Sequence, residues 1–88
     1  MTLGIWRFSD RLPPVSEDCR VTLGEGDTPL IRLRGLDIWV KVDYVNPTGS
    51  FKDRGVAYLT SKLLEEGVKR VVIDSSGNAA VSTAAYCS

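Results

Sequence analysis

The hydrophobic pattern of the chain changes from a period of two to a helical period near its middle. Residues 37–44 alternate apolar positions with mostly polar ones, which predicts a strand with one buried face. An apolar stripe with helical spacing begins at Val56 and predicts a helix over residues 50–66. Asparagine, proline and glycine residues break the extended pattern between these two elements. The sequence therefore predicts a strand-to-helix corner at residues 46–55.

Lys52 falls in the first turn of the predicted helix, on its apolar side. A helical projection aligns it with the stripe expected to face the core, which consists of Val56, Leu59 and Leu63. The positive end of the helix dipole disfavours a cation there by about 0.3 to 1 kcal/mol. A neutral amine suits that position and is the nucleophile that Schiff-base chemistry requires. The alternative, a flexible stem that carries the ammonium group into solvent, stays open.

Both ends of the predicted helix carry capping signals. Ser50 is the predicted N-cap, and Asp53 completes a capping-box-like pattern three residues later. Gly67 is the predicted C-terminal cap. Arg54 and Glu65 are expected on the opposite, solvent-exposed face of the helix.

A second corner follows the next apolar run. Residues 71–73 (Val-Val-Ile) predict a short strand buried on both faces of a parallel sheet. Strand, helix and strand in this order predict a right-handed crossover unit. Small polar residues at 74–78 precede an alanine-rich stretch, which predicts a second helix from about Ala79.

The two corners are expected to line one pocket, because the carboxyl ends of parallel strands lie at one edge of a sheet. Free amides at the start of the second helix suit a carboxylate or phosphate group. The Ser-Ser-Gly-Asn segment at 75–78 is equally compatible with a simple capping turn. That alternative stays open.

The first part of the chain, residues 1–37, is predicted to be an irregular arm. Trp6 and Phe8 alternate as in a short strand, and two prolines then enforce an extended turn. Residues 22–30 contain two glycines and a proline among small polar residues, which indicates an ordered loop. This loop either borders a site or connects two short strands at the surface.

The composition and charge of the chain limit the class of protein to which it can belong. The chain has 88 residues, 43% hydrophobic and 25% charged, which indicates at most one small globular domain. Eleven basic residues balance eleven acidic ones, so no nucleic-acid or anionic-membrane partner is expected. The sequence has no apolar run long enough to span a bilayer, and a cytoplasmic location is expected.

The absence of histidine excludes several mechanisms. Neither a Ser-His-Asp nor a Cys-His nucleophile can be assembled from this chain, and a histidine-ligated metal is excluded as well. The sequence does not match a phosphate-binding P-loop, because the glycine spacing differs and because Asp53 follows the lysine where the motif has serine or threonine. Cys19 and Cys87 occur in no metal-ligand spacing and are interpreted as ordinary thiols, with a disulfide as the alternative. We therefore expect no metal site.

The two corners together resemble a known family. Residues 46–55 (Asn-Pro-Thr-Gly-Ser-Phe-Lys-Asp-Arg-Gly), residues 75–78 and residues 23–30 are similar to the amino-terminal part of threonine synthases. These are pyridoxal-phosphate enzymes of the tryptophan-synthase-beta-like fold, fold type II. The resemblance implies an α/β fold in which parallel strand-helix-strand-helix units occupy residues 38–88, after the arm at 1–37. Serine and threonine dehydratases and cysteine synthases share the lysine and the second corner, and are the alternative.

The resemblance also implies roles for individual residues. Lys52 would hold pyridoxal 5′-phosphate as a Schiff base and then serve as general base and acid. Asn78 would hydrogen-bond the ring oxygen of the cofactor, and Phe51 would pack beside the ring. The substrate carboxylate would bind Ser75, Ser76, Gly77 and Asn78. The implied reaction converts O-phosphohomoserine and water to threonine and phosphate, in a homodimer.

The length of the chain departs from the family, whose members run to several hundred residues. The loop that cups the cofactor phosphate and the residue that faces the pyridine nitrogen are expected beyond residue 88. We therefore expect an amino-terminal piece of a longer enzyme, inactive by itself. Two alternatives are a non-catalytic chain that folds only with a partner chain, and a small anion-binding module whose phosphate binding does not depend on Lys52.

Overall fold

The structure of the chain, a computed structural model, describes residues 4–88 and places two α-helices together beside a short antiparallel hairpin. The first three residues of the predicted arm lie outside the described residues. The strands and α-helices are β1 (Leu30–Arg32), β2 (Trp39–Lys41), α1 (Lys52–Glu65) and α2 (Asn78–Cys87). The short 3-10 helices of the described part are Gly4–Arg11, Glu17–Cys19 and Asp43–Val45.

Helix α1 ends where the sequence predicted. Gly67 has a φ of 79°, the left-handed conformation that glycine adopts without steric cost. Its amide donates to the Leu64 carbonyl at 3.0 Å, and the Val68 amide donates to the Leu63 carbonyl at 3.0 Å. These two bonds form a Schellman motif. The prediction that Gly67 caps the helix is confirmed.

The start of α1 differs from the predicted capping box. The predicted N-cap is wrong, because Phe51 and not Ser50 holds the N-cap position, although Ser50 Oγ accepts a hydrogen bond from the Lys52 amide at 3.3 Å. The carboxylate of Asp53, however, accepts from the Thr48 amide at 2.7 Å instead of the Ser50 amide. The reason is that the chain already turns before Ser50, where the Gly49 amide bonds the Asn46 carbonyl at 2.8 Å. This turn presents the Thr48 amide to the helix start.

The buried face of α1 is rotated from the predicted stripe by about one residue. Its buried residues are Asp53, Val56, Ala57, Thr60 and Ser61. Lys52 and Leu59 are exposed instead, and only Val56 of the predicted stripe is buried. Small and hydroxyl-bearing side chains let α2 approach closely, and each hydroxyl is hydrogen-bonded. The predicted orientation of Lys52 is therefore wrong, and so is that of Arg54, which is half-buried.

Helices α1 and α2 run in the same direction. Near the start of α1, Asp53 accepts a hydrogen bond from Ser82 of α2 at 2.6 Å. Four residues later on both helices, Ala57 and Tyr86 belong to one buried cluster with Val56. Because both contacts advance together along the chain, the amino-terminal ends of the helices lie at the same end of the pair.

The described part of the chain has no helix long and apolar enough to cross a membrane.

The sheet is smaller than predicted. Ile31 pairs with Val40 in an antiparallel ladder, and the predicted strand at residues 37–44 shortens because the chain turns into the 3-10 helix Asp43–Val45. Residues 71–73 form no strand, and Val72 is 97% exposed. A strand needs a neighbouring backbone for its hydrogen bonds, and β1 and β2 pair with each other. The mixture of helices and strands fits the α/β class, but the parallel crossover unit is not confirmed.

The predicted strand at Trp6 and Phe8 is also wrong. Both residues lie in the 3-10 helix Gly4–Arg11, where Trp6 is buried. The indole nitrogen of Trp6 donates to the Val21 carbonyl at 2.8 Å, which holds the arm against the rest of the chain. Cys19 and Cys87 are free thiols, as expected from the sequence.

Candidate functional site

The first corner is built by polar side chains that turn inward. Asn46 is buried, and its Oδ1 accepts from the Gly26 amide at 2.9 Å. Its Nδ2 donates to the Asp43 carbonyl, also at 2.9 Å. An asparagine side chain that pairs with two backbone segments holds them in register. Asn46 thus fixes the loop at residues 22–28 against the start of the corner.

Arg54 makes a second connection between these segments. Its guanidinium group binds both carboxylate oxygens of Asp43, at 3.0 and 3.3 Å, and the hydroxyl of Thr28 at 3.0 Å. Thr28 in turn donates to Asp43 at 2.6 Å. The hydrogen bonds from Arg54, and then the one from Thr28, hold the pKa of Asp43 below its ordinary value. A bidentate pair of this kind restricts direction as well as distance.

Asp53 is the most deeply buried residue of the corner. It is 0% exposed and accepts from the Thr48 amide at 2.7 Å, the Thr48 hydroxyl at 2.5 Å and the Ser82 hydroxyl at 2.6 Å. A buried carboxylate is tolerated when donors surround it, and its place in the first turn of α1 suits the helix dipole. Asp53 therefore joins the loop before α1, α1 itself and α2.

Phe51 and Lys52 point the other way. Both are exposed, and Lys52 Nζ lies 5.2 Å from the centroid of the Phe51 ring. The structure thus shows the alternative in which the lysine stem reaches away from the core. An exposed amine beside an aromatic face is accessible to a ligand, whereas the polar residues around it are occupied by structural contacts.

The second corner presents backbone groups to solvent. Ser75, Ser76, Gly77 and Asn78 are all exposed, and the Gly77 amide donates to Ser75 Oγ at 3.2 Å. The Gly77 carbonyl accepts from the first turn of α2, from Ala80 at 3.0 Å and Val81 at 3.2 Å. The first amides of a helix have no partner within it, so they attract an anion. This geometry is compatible with the predicted carboxylate site.

The contact between Asp53 and Ser82 brings the starts of α1 and α2, which follow the two corners, near each other. Asn78 lies four residues before Ser82, on the same face of α2, and Ser82 bonds to Asp53, the neighbour of Lys52. The corners were predicted to meet at the edge of a parallel sheet. In the structure the parallel helix pair, not a sheet, relates them.

A mainly apolar groove in the described part of the chain lies elsewhere. It has a volume of about 520 Å³ between α1, α2 and the segment at residues 68–73. Its lining is mainly apolar and includes none of the predicted site residues; it is formed in part by Leu63, Val68, Val71, Ala84 and Cys87. A phosphate or carboxylate group finds few partners there, so we do not assign the groove to the site.

The loop at residues 22–30 was expected either to border a site or to connect two strands at the surface. Its segment at residues 22–28 is anchored inside the molecule by Glu25, which is 0% exposed. Glu25 accepts from the amides of Ile5 and Leu23 and from the hydroxyls of Thr22 and Tyr86. Burial, and then the hydrogen bond to Glu25, raise the pKa of Tyr86. Sequence reasoning missed Glu25, Ser82 and Tyr86 because no local spacing connects them.

The chain is similar to one known protein family and to several curated proteins. Residues 21–88 match the family described as pyridoxal-phosphate dependent enzyme. Threonine synthase of Halalkalibacterium halodurans is 42% identical over 85 residues, which cover 90% of this chain and 24% of the relative. Threonine synthase of Methanocaldococcus jannaschii is 42% identical over 91 residues, covering 96% and 22%. Threonine synthase of Mycobacterium leprae is 46% identical over 85 residues, covering 90% and 24%.

The chain therefore spans about a quarter of the length of the curated relatives that it matches. No solved structure matches it.

Proposed function

The chain belongs to the family of pyridoxal-phosphate dependent enzymes, and we propose that it forms the lysine-bearing part of a threonine synthase. One observation carries the proposal. At the corner that resembles the family, the polar residues are engaged in internal bonds, while Lys52 and its neighbour Phe51 are free to meet a ligand. The relatives named threonine synthase support this choice over the dehydratases and cysteine synthases.

The exposed groups of the two corners fit the cofactor. An aldehyde requires an accessible amine, which Lys52 offers, and a flat heteroaromatic ring suits the exposed face of Phe51. Lys52 would hold pyridoxal 5′-phosphate, Phe51 would lie beside its ring and Asn78 would donate a hydrogen bond to it. When bound, the cofactor supplies an electron sink for negative charge that develops on the substrate.

The remaining groups of the second corner act on the substrate. Ser75 and Ser76 would offer hydroxyls and Asn78 its amide to the substrate carboxylate, and the Gly77 amide would exchange its exposed bond to Ser75 Oγ for one to the carboxylate. The start of α2 favours this carboxylate by about 0.3 to 1 kcal/mol through the helix dipole. The amine of Lys52 would remove and return protons at the substrate carbons. The net reaction is O-phosphohomoserine plus water to threonine plus phosphate.

Selective labelling of Lys52 tests the cofactor site. Pyridoxal 5′-phosphate is added to the purified protein, followed by borohydride. A C=N bond forms between Lys52 Nζ and the aldehyde carbon with loss of water, and hydride reduces it to a stable secondary amine. Peptide mass mapping then compares Lys52 with the other lysines, which are Lys41, Lys62 and Lys69. We expect the label mainly on Lys52, and its loss in Lys52→Ala but not in the control Lys62→Ala.

Equal labelling of all four lysines would refute a cofactor site in this chain. It would favour a second candidate, a non-catalytic chain that needs a partner chain to fold. The observation behind that candidate is the exposed apolar run at residues 71–73, where Val72 is 97% exposed.

We further propose a cytoplasmic homodimer that acts on a small molecule and binds neither nucleic acid nor membrane. The homodimer rests on the family resemblance. The absence of a nucleic-acid or membrane partner rests on the balance of eleven basic and eleven acidic residues. Sedimentation of the purified protein would test the oligomeric state.

A further inference from the structure

We propose that Ser82 is a positioning residue for Lys52, and that it acts through the buried carboxylate of Asp53. This inference rests on the proposed function, because it takes Lys52 as the residue that holds the cofactor. Ser82 lies in the second turn of α2 and is 0% exposed, so it does not meet a ligand itself. Its hydroxyl donates to Asp53 Oδ1 at 2.6 Å.

The bond between Ser82 and Asp53 is rigid for a physical reason. Asp53 is 0% exposed, and its other donors are the amide and hydroxyl of Thr48, at 2.7 and 2.5 Å. A buried carboxylate without donors is costly, so each of these hydrogen bonds resists breaking. Short hydrogen bonds to a charged acceptor also restrict distance and angle. Asp53 consequently holds α1, the loop before it and α2 in one arrangement.

The position of this bond connects it to the chemistry of both corners. Asp53 follows Lys52 directly, and Ser82 lies one turn after Asn78 on the same face of α2. The hydrogen bond therefore sets the offset between the helix that carries the lysine and the helix that carries the proposed ring-binding asparagine. Groups on two different elements act together only when a supporting contact fixes their separation. Ser82 provides that contact.

The test compares Ser82→Ala with a matched control, Ser61→Ala. Ser61 is also 0% exposed and has two hydrogen bonds, from the Val21 amide and to the Ala57 carbonyl, both at 2.7 Å. It connects α1 to the arm instead of to α2. Each variant is treated with pyridoxal 5′-phosphate and borohydride, and the label on Lys52 is divided by that on the other three lysines. Thermal unfolding is followed in parallel by circular dichroism.

Both variants are expected to lower the melting temperature, but only Ser82→Ala should lower the selectivity for Lys52, by about tenfold. Ser82→Thr keeps the hydroxyl, although its additional methyl group strains the packing. It should therefore retain most of the selectivity at reduced stability. A selectivity that follows the hydroxyl rather than the stability is the signature of a positioning role.

Three results would overturn the inference. Unchanged selectivity in Ser82→Ala shows that the bond does not position Lys52, and leaves the proposed function intact. An equal loss in Ser61→Ala shows a general effect of stability. No selective labelling in the unaltered protein refutes the proposed function, and the positioning role with it. Should Ser82→Ala be unfolded, Ser82→Thr decides: because it keeps the hydroxyl, a tenfold loss of selectivity for Lys52 in this variant contradicts the proposal.

Discussion

The hydroxyl of Tyr86 donates a 2.9 Å hydrogen bond to Oε1 of Glu25, which lies 61 residues earlier in the chain. Both side chains are buried. The bond fastens the loop at residues 22–28 to α2, while Asn46 and Arg54 fasten the same loop to the first corner. The loop therefore braces the first corner against α2.

Replacing Tyr86 by phenylalanine tests this brace. Tyr86→Phe removes one of the four donors to a buried carboxylate, so the free energy of unfolding should fall by about 1 to 3 kcal/mol. Urea denaturation followed by circular dichroism measures the change. Tyr44→Phe is the control, because Tyr44 is 73% exposed, and its effect should stay within about 0.5 kcal/mol. Equal effects of the two substitutions would contradict the buried contact.

Gly4 should not tolerate a side chain, for two reasons that can be separated. Its φ is 68°, and a Cβ atom there would overlap Oε2 of Glu25. Gly35 has a similar φ of 77° but open space around it. We expect Gly35→Ala to cost about 1 kcal/mol from the backbone alone, and Gly4→Ala to cost clearly more because Glu25 must move. If urea denaturation showed the same loss of unfolding free energy for Gly4→Ala and Gly35→Ala, Glu25 would move away from the added Cβ atom without a measurable cost.

The ion pair between Asp43 and Arg54 predicts an acid-dependent loss of stability. Arg54 lowers the pKa of Asp43 below its ordinary value of 3.8. A carboxylate whose pKa is lower in the folded state stabilises the fold above its unfolded pKa. This stabilisation is lost as the pH falls through the lower, folded pKa. Stability should thus decline below about pH 4, and the decline should be shallower in Arg54→Met.

Glu65 provides the control for this experiment, because the Ser16 amide and then Lys62 lower its pKa as well. Lys62→Met should make the acid-dependent loss only slightly shallower, since the bond from the Ser16 amide remains. A profile for Arg54→Met that matches the unaltered protein would exclude the proposed linkage. The measurement is the free energy of unfolding of the unaltered protein and of both variants from pH 7 to pH 2.5.

Phe51 should contribute to cofactor affinity through its ring. Phe51→Leu keeps an apolar side chain but removes the aromatic face beside Lys52, so pyridoxal 5′-phosphate should bind about threefold more weakly. Absorbance titration measures the affinity. Phe8→Leu is the control, because Phe8 also lies 5.2 Å from a cation, that of Arg7, outside the two corners. An equal weakening in both variants would exclude a specific role for Phe51.

Local features of the fold were predictable because they depend on residues close together in the chain. Gly67 ends α1 as predicted, since a left-handed residue and two backbone bonds within six residues suffice to stop a helix. The corner at residues 46–55 also lies where its proline and glycines indicated. The residue types and order of the two corners resemble the family, and the family match over residues 21–88 confirms that resemblance, while the roles of Lys52 and of residues 75–78 stay predictions.

The orientation of α1 was not predictable in this way. Its buried face is made of Asp53, Ala57 and Ser61 with their neighbours, not of the leucines that a hydrophobic projection selects. This face is buried by α2, whose Ser82 supplies a donor from 29 residues away, and by the arm, whose Val21 amide bonds Ser61. The spacing of apolar residues within one helix carries no information about a hydrogen-bond donor that lies on another helix.

The sequence by itself determined where α1 ends, where α2 begins to within one residue, and to which family the chain belongs. These properties follow from backbone conformation, capping and short motifs, all of which act over a few residues. The tertiary structure alone decided which side of α1 is buried, that Lys52 is exposed, and that Glu25 and Asp53 hold distant segments together. A buried carboxylate is stable only where several donors converge on it, and those donors come from parts of the chain that only folding brings together.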